Sequence, residues 1–168
     1  MPAGTVDLDL DRFDDLVSHA EAHARVGGRG AARATLESAL ALVRGQVLED
    51  EPYASWALPL RDRYAEREVA VRLAAADHAL GGGDPAVALT HARTVLAGDP
   101  AREAAHRVTM LACYRLGRQD EALRTYERCR QALAAELGVD PLPETVGLHA
   151  AILRRDDAIL HAPPPPSA

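Results

Sequence analysis

The sequence predicts an all-α fold, in which about seven helices form antiparallel pairs within 168 residues. Apolar residues recur every three or four positions, which is the spacing that gives a helix one apolar stripe. Glycines and Asp-Pro pairs separate these stretches, as is typical of helix ends and helix starts. A set of small residues also recurs at fixed spacing, which indicates repeated helix–turn–helix units.

One complete unit lies in residues 114–141. Gly117 closes a helix in the left-handed conformation that glycine adopts readily, and Gln119 or Asp120 is placed to cap the next helix. Gly138 ends that helix. The apolar stripe between these positions consists of Ala122, Leu123, Tyr126, Cys129, Leu133 and Leu137.

The small residues of this unit have counterparts earlier in the chain. Three sets share the same spacing: Gly27, Ala32 and Ala39; Gly83, Ala88 and Val95; Gly117, Ala122 and Cys129. The intervals between the sets are 56 and 34 residues, and 34 is the period of tetratricopeptide repeats. The chain resembles that family at Gly117, Ala122, Tyr126 and Pro100, whereas His106 falls where the family has a bulky residue. The resemblance implies a short right-handed solenoid, with the alanines, Val95 and Cys129 of these sets as the repeat-packing positions.

The first half of the chain is predicted to hold three helices. Asp9 or Asp11 is expected to cap the first, which presents Phe13 and ends at Gly27-Gly28. The second runs from about residue 31 to 43, and a loop over residues 46–55 then precedes Trp56. Because Pro59 cannot donate to a helix ladder, the third either starts near Leu58 or is kinked there, and it continues to about residue 80.

The second half is predicted to hold four more helices. Asp84-Pro85, Asp99-Pro100 and Asp140-Pro141 are expected to start the fourth, fifth and seventh, since proline suits the first helical position. The apolar side chains of the seventh are expected to cover the last open face of the repeat stack. They are Leu142, Val146, Ile152 and Leu153.

A narrower resemblance covers residues 6–153. The segments VDLDLDRF, ALALVRG, Trp56 and ELGVDP occur in the order found in the bacterial transcriptional activator domain of actinobacterial antibiotic-regulatory proteins. The resemblance implies a domain at residues 11–154. Residues 1–10 are expected to be a lead-in or a linker remnant, and the proline-rich residues 155–168 are expected to be a mobile tail. In that family a winged-helix DNA-binding domain precedes this one. We expect that domain to be absent from this chain.

Composition narrows the classes of function. The net charge of −6 argues against this chain alone holding a nucleic-acid backbone. All 19 basic residues are arginine, a bias spread over the whole sequence rather than one site. Neither a signal peptide nor a membrane span is visible, so a cytoplasmic location is expected.

No catalytic motif is recognisable, and neither an enzyme nor a cofactor is expected. Asp15, His19 and His23 share a helix face with metal-ligand spacing, but a fourth ligand is missing and exposed histidines are the better interpretation. Cys113 and Cys129 have neither metal-ligand nor disulfide-framework spacing, so both are interpreted as small buried hydrophobes.

A partner-binding face is the remaining hypothesis. Its candidate residues are Arg102, Arg107, Arg118, Arg124 and Arg128, which are expected either to be ordinarily solvated or to meet an acidic protein surface. By family resemblance the partner is RNA polymerase or another regulator component. DNA is reached only through the missing winged-helix domain, and a homodimer is a further expectation.

Two other functions stay open. One is a freestanding scaffold or adaptor protein similar to general tetratricopeptide proteins. The other is a sensor that holds a small molecule near Trp56 and Tyr64, although core packing is the more ordinary role for such aromatic residues.

Overall fold

The computed structural model describes residues 3–43 and 58–160, and within these ranges all regular structure is helical. The predicted all-α class and tetratricopeptide-like helix pairing are confirmed. In these two ranges, seven long helices are followed by a single-turn helix. Their bounds are α1 Ala3–Arg25, α2 Arg29–Leu42, α3 Leu58–Gly81, α4 Pro85–Gly98, α5 Glu103–Arg115, α6 Gln119–Glu136, α7 Pro143–Arg154 and α8 Asp157–Leu160. Trp56, the loop over residues 46–55 and residues 161–168 lie outside the described residues.

The helices fall into two compact units, Met1–His78 and Ala79–Ala168. In the first unit, α1 and α2 join through a turn in which Gly27 has a φ of 80°. Phe13 from α1 is buried, and Tyr64 from α3 packs its ring edge against the Phe13 ring at 6.4 Å. The buried core of this unit consists of Phe13, Ala20, Leu36, Ala39, Leu40, Val71 and Ala75.

The second unit is built on the α4, α5 and α6 helices. Gly83 and Gly117 take positive φ angles of 80° and 77° at the turns before α4 and α6. These are the turn positions of the repeat spacing. The small residues that follow at the spaced positions are all buried, at 3% exposure or less: Ala88, Val95, Ala122 and Cys129. Ala32 and Ala39 of the first unit are likewise fully buried.

One predicted helix cap is correct, whereas several other predicted helix starts are wrong. Asp84 caps α4 as expected, accepting a hydrogen bond from the Val87 amide at 3.5 Å. In contrast, α1 begins at Ala3, so residues 3–10 are helical and neither Asp9 nor Asp11 is a cap. The N-cap of α6 is Arg118, with no side-chain cap bond, rather than Gln119 or Asp120.

The Asp-Pro pairs before α5 and α7 also precede their helices rather than start them, and the first of the two lies in a turn. Asp99 accepts a hydrogen bond from the Ala101 amide at 3.1 Å, so its carboxylate stabilises a turn instead of capping α5. α7 begins at Pro143, and the residue before this second proline, Leu142, is extended with a ψ of 153°. The clash between a proline ring and the preceding residue disfavours helical geometry there.

The prediction for the inner face of α7 is correct only for Ile152. This side chain is fully buried, whereas Leu142, Val146 and Leu153 are 51%, 43% and 55% exposed. Each helical residue is rotated by about 100° from the last, so Val146 and Leu153 share one face of α7 and Ile152 lies roughly a quarter-turn away. Leu142 precedes the helix. The inner face of α7 instead buries Thr145, Ala151 and Ile152.

α7 is fixed to the preceding helices by polar and aromatic contacts. The Tyr126 and His149 rings stack with centroids 3.9 Å apart. Arg107 donates from Nη1 to Thr145 Oγ1 at 3.1 Å. The Leu142 amide donates to Glu103 Oε1 at 2.7 Å. These contacts attach the helix to α5 and α6 while its other face stays exposed.

The first residues of the expected tail, up to Leu160, include regular structure. α8 spans Asp157–Leu160, and the Leu160 side chain is fully buried. Within the described residues, no helix combines the length and apolar character that crossing a membrane requires.

Candidate protein-binding surfaces

An open depression of about 570 Å³ follows the exposed side of α6. We call it the α6 face. It contains three of the five predicted partner-binding arginines together with three carboxylates. Its lining residues are Arg118, Asp120, Glu121, Arg124, Glu127, Arg128 and Gln131. Equal numbers of arginines and carboxylates leave this face with no net charge.

The arginines of the α6 face already have partners. Arg124 pairs with Asp120 on the preceding turn. Arg118 lies 3.7 Å from Glu121, which also receives a hydrogen bond from Arg93 of α4. These pairs are largely exposed, and exposed ion pairs contribute only about 0–1 kcal/mol to stability. An incoming partner can therefore exchange them at small cost.

Arg128 differs because it bonds to a hydroxyl rather than a carboxylate. Its Nη2 donates to Thr125 Oγ1 at 2.8 Å. Thr125 is buried, and its hydroxyl in turn donates to the Glu121 carbonyl at 2.8 Å. The Arg128 guanidinium thus bonds to a side chain of its own helix and has no carboxylate partner among the described residues.

Arg102 and Arg107 do not line the α6 face. Arg102 donates from Nε to Asp99 Oδ2 at 2.8 Å, in the turn before α5. Arg107 bonds to Thr145 of α7 and lies 4.0 Å from Glu103. Both arginines therefore have contacts within the fold, and their role in partner binding stays a prediction.

His106 is buried, at the position where the tetratricopeptide pattern has a bulky residue. Its Nε2 donates to the Pro100 carbonyl oxygen at 2.8 Å, whereas Nδ1 is buried without a hydrogen-bond partner. Burial lowers the pKa of His106, with a further lowering contribution from Arg128 that is opposed by Glu103, Asp99 and the Pro100 bond. The imidazole is therefore neutral at pH 7 and holds the turn before α5.

A second surface lies at the carboxyl end of α5. Tyr114 donates its hydroxyl to Asp157 Oδ1 at 3.1 Å. Arg115 donates from Nε to the Leu160 carbonyl and from Nη1 to the Leu80 carbonyl, both at 2.8 Å. We call Tyr114 and Arg115 the α5 face, and the chain's own residues 156–160 cover it. Sequence reasoning missed this site because side-chain bonds to distant backbone carbonyls leave no periodic pattern.

Arg155 joins α7 to this segment in a left-handed conformation, with φ 53° and ψ 48°. Among the described residues it is the only non-glycine with a positive φ. The Arg155 and Asp156 amides donate to the Ile152 and Ala151 carbonyls at 3.2 and 3.0 Å. This is the Schellman pattern of a helix end, in which glycine is the usual residue.

The two cysteines are buried free thiols. Burial raises the pKa of Cys113, and it raises the pKa of Cys129 to about 11. Because the thiolate is the reactive form, neither side chain has the environment of a nucleophile.

The residues of the metal hypothesis and the described residue of the sensor hypothesis, Tyr64, have ordinary structural contacts. Within residues 3–43 and 58–160, no group of three or more His, Cys, Asp or Glu side chains could hold a metal ion. The His19 ring nitrogen Nδ1 lies 2.7 Å from the Asp15 carbonyl oxygen, so the ring contacts its own helix. Tyr64 packs in the core, where burial raises its pKa.

Comparison with known proteins places the chain in a family. The AfsR regulatory protein of Streptomyces coelicolor is 40% identical over 152 residues, which are 90% of this chain and 15% of that protein. The Mycobacterium tuberculosis EmbR structure, solved with a low-affinity phosphopeptide, is 29% identical with a TM-score of 0.81. That match covers 88% of this chain and 39% of EmbR. The chain thus spans less than half of either protein.

A more distant structure shows the fold alone. The C-terminal TPR-containing domain of a Plasmodium falciparum FK506-binding protein has a TM-score of 0.68 at 15% identity. The match covers 94% of this chain and 96% of that domain. At the level of sequence, residues 8–153 match the model of the bacterial transcriptional activator domain. The chain therefore belongs to the bacterial transcriptional activator domain family.

Proposed function

We propose that this chain is a non-catalytic module of a transcriptional regulator, and that it supports activation through protein–protein contacts made by the α6 face. The observation that carries the proposal is the gathering of Arg118, Arg124 and Arg128 in one exposed depression. Family membership supplies the transcriptional context, since its relatives are regulatory proteins by name.

The charge balance of the α6 face favours a protein over a nucleic acid. A phosphate backbone binds where positive charge is concentrated, whereas this face carries three arginines and three carboxylates. Mixed charge with exchangeable ion pairs suits the polar part of a protein interface, where complementary charges set specificity and association rate. DNA contact is assigned to a separate winged-helix domain of the regulator.

The partner we propose is RNA polymerase, bound through a surface that presents carboxylates. Arg128 is the best-placed anchor, because its present bond is to a neutral hydroxyl and a carboxylate would form a stronger, charge-assisted bond. Arg124 lies one turn away on the same helix and would exchange its exposed pair with Asp120. A cytoplasmic location and homodimer formation belong to the same proposal.

The test is a pull-down of purified RNA polymerase holoenzyme with the 168-residue chain as bait. We expect the wild-type chain to retain polymerase and the Arg124→Glu/Arg128→Glu variant to lose most of that retention. A matched control, Arg12→Glu/Arg63→Glu, makes the same charge change at exposed positions of the first unit and should bind like wild type. Equal retention by both variants would refute the α6 face as the contact.

The scaffold hypothesis makes a different prediction in this experiment. A scaffold with no transcriptional role would retain no polymerase in any form of the chain. The α6 variant and its control would then be indistinguishable from beads alone, and the transcriptional proposal would fail with them.

A further inference from the structure

The α5 face binds a short segment of its own chain through two hydrogen bonds, and the segment also buries one apolar side chain. The Tyr114 hydroxyl recognises a carboxylate, that of Asp157. Arg115 recognises a backbone carbonyl, that of Leu160. The Leu160 side chain, three residues after Asp157, is fully buried. Together these contacts describe a binding site for a carboxylate followed three positions later by a large aliphatic residue.

Arg115 is also held by a hydrogen bond to a residue outside the segment. Arg115 Nη1 bonds to the Leu80 carbonyl oxygen at 2.8 Å, close to the end of α3. This second bond holds the guanidinium in place, so Nε stays directed at the position of the Leu160 carbonyl. Because a backbone carbonyl is common to every residue, this contact does not require the native sequence. A segment from another protein can make the same bond.

The covering segment itself is weakly held. α8 has four residues, and helices that short have little stability of their own because nucleation is costly. The left-handed conformation of Arg155 is unfavourable for a residue with a Cβ. Gln119 offsets part of this by accepting from Arg155 Nε at 3.2 Å and donating to the Ile152 carbonyl at 3.1 Å. Residues 156–160 are therefore the part that can detach while α7 stays in place.

We propose that the α5 face is a docking site for an acidic–apolar protein segment, and that residues 156–160 occupy it in cis until a partner segment displaces them. The partner presents a carboxylate and, three residues later, a leucine or a similar aliphatic side chain. This inference rests on the proposed function only in treating the domain as a protein-contact module, because it uses a different face and different residues.

Residues 156–160 compete in cis with a partner segment for the α5 face, and this competition lowers the partner's apparent affinity. A segment joined by a short linker competes at an effective concentration in the millimolar range. The apparent affinity for a partner is reduced by the fraction of molecules in which the site is closed. Weakening the cis segment without altering Tyr114 or Arg115 should therefore tighten binding of the same sequence supplied in trans.

The experiment uses fluorescence anisotropy with a labelled peptide that has the sequence of residues 154–160 and an amidated carboxyl end. We expect the 168-residue chain carrying Asp157→Asn/Leu160→Ala to bind this peptide at least tenfold more tightly than wild type. The single change Asp157→Asn alters only a carboxylate and should give a smaller gain in the same direction, which covers the case of a double variant that folds poorly.

A double-mutant cycle separates recognition from a general loosening of the fold. In the weakened chain, Tyr114→Phe should lower affinity for the peptide several-fold, because it removes the hydroxyl that bonds to the carboxylate. It should have little effect on a peptide carrying Asp157→Asn. Equal losses for both peptides would refute recognition by Tyr114.

The proposal is also overturned if the peptide binds wild type and weakened chains equally, or binds neither at millimolar concentration. Neither result alters the polymerase pull-down, which depends on Arg124 and Arg128. Failure of this inference and failure of the proposed function are therefore distinguishable.

Discussion

Ala122 illustrates how one small side chain limits helix packing. It is fully buried in α6, at the position that the repeat spacing assigns to a close helix contact. Ala88 and Ala32 are fully buried at the matching positions of α4 and α2. A methyl group at these sites allows neighbouring helices to approach, and a larger group must displace its surroundings.

We expect Ala122→Leu to lower the free energy of unfolding by about 1–3 kcal/mol, because overpacking forces side chains and backbone to shift. Urea denaturation followed by circular dichroism measures the effect. Ala135→Leu places the same side chain at an exposed position of the same helix and serves as the control. An Ala122→Leu variant as stable as this control would contradict the packing argument.

His106 should make stability depend on pH. Because burial lowers its folded-state pKa, the unfolded state binds more protons near and below its ordinary pKa of about 6.5. The associated stability is present above about pH 6.5 and is lost as pH falls toward the folded-state pKa. The charged groups facing the ring are Arg128, Glu103 and Asp99.

The variant His106→Gln should therefore lose less stability than wild type between pH 7 and pH 5. A single group contributes a slope of at most about 1.4 kcal/mol per pH unit, so the difference is measurable by urea denaturation at several pH values. His78, whose pKa is also lowered by burial and by Arg29, is present in both chains and cancels. As the control, His23→Gln removes an exposed imidazole. Parallel pH profiles for wild type and His106→Gln would be inconsistent with a buried neutral ring.

At the scale of the element, α7 has one buried face and one exposed face. Ile152 lies on its buried side, and the neighbouring Leu153 is 55% exposed. The sequence predicts an apolar helix at this place, but apolar character alone does not tell which side chains face inward. The contacts of Thr145 and His149 with α5 and α6 set the rotation of the helix.

Ile152→Ala should lower the free energy of unfolding by about 2–5 kcal/mol, because it removes buried methyl groups and leaves a cavity. Leu153→Ala should change it by no more than about 0.5 kcal/mol, as is usual for surface positions. Thermal denaturation of the two variants provides a direct comparison of adjacent residues. Equal losses would mean that α7 is rotated from the described orientation.

At the scale of the whole molecule, the negative net charge does not favour binding to DNA. The net charge is −6, and the α6 face has as many carboxylates as arginines. Binding to duplex DNA depends on the number of phosphates that are neutralised and grows steeply as salt is lowered. The chain offers no surplus of positive charge at this face for such contacts.

We therefore expect no binding of a labelled duplex by this chain, even at about 50 mM salt, where non-specific binding is strong. Fluorescence anisotropy of the labelled duplex measures this binding. A salt-dependent rise in anisotropy at micromolar protein would contradict the expectation. The Asp120→Asn/Glu127→Gln variant gives the α6 face a positive surplus and tests whether charge balance is the reason.

The helical class, the pairing of helices and the small residues at their contacts could be predicted from the sequence. These depend on local spacing and on glycine at turns such as Gly83 and Gly117, and local rules act on neighbouring residues. The buried side of α7, the cover of Tyr114 and Arg115 by α8, and the set of arginines that lines the α6 face could be identified only in the folded structure. The first two outcomes depend on contacts between residues more than 30 positions apart, where packing and long-range hydrogen bonds select among orientations that the local pattern leaves equivalent.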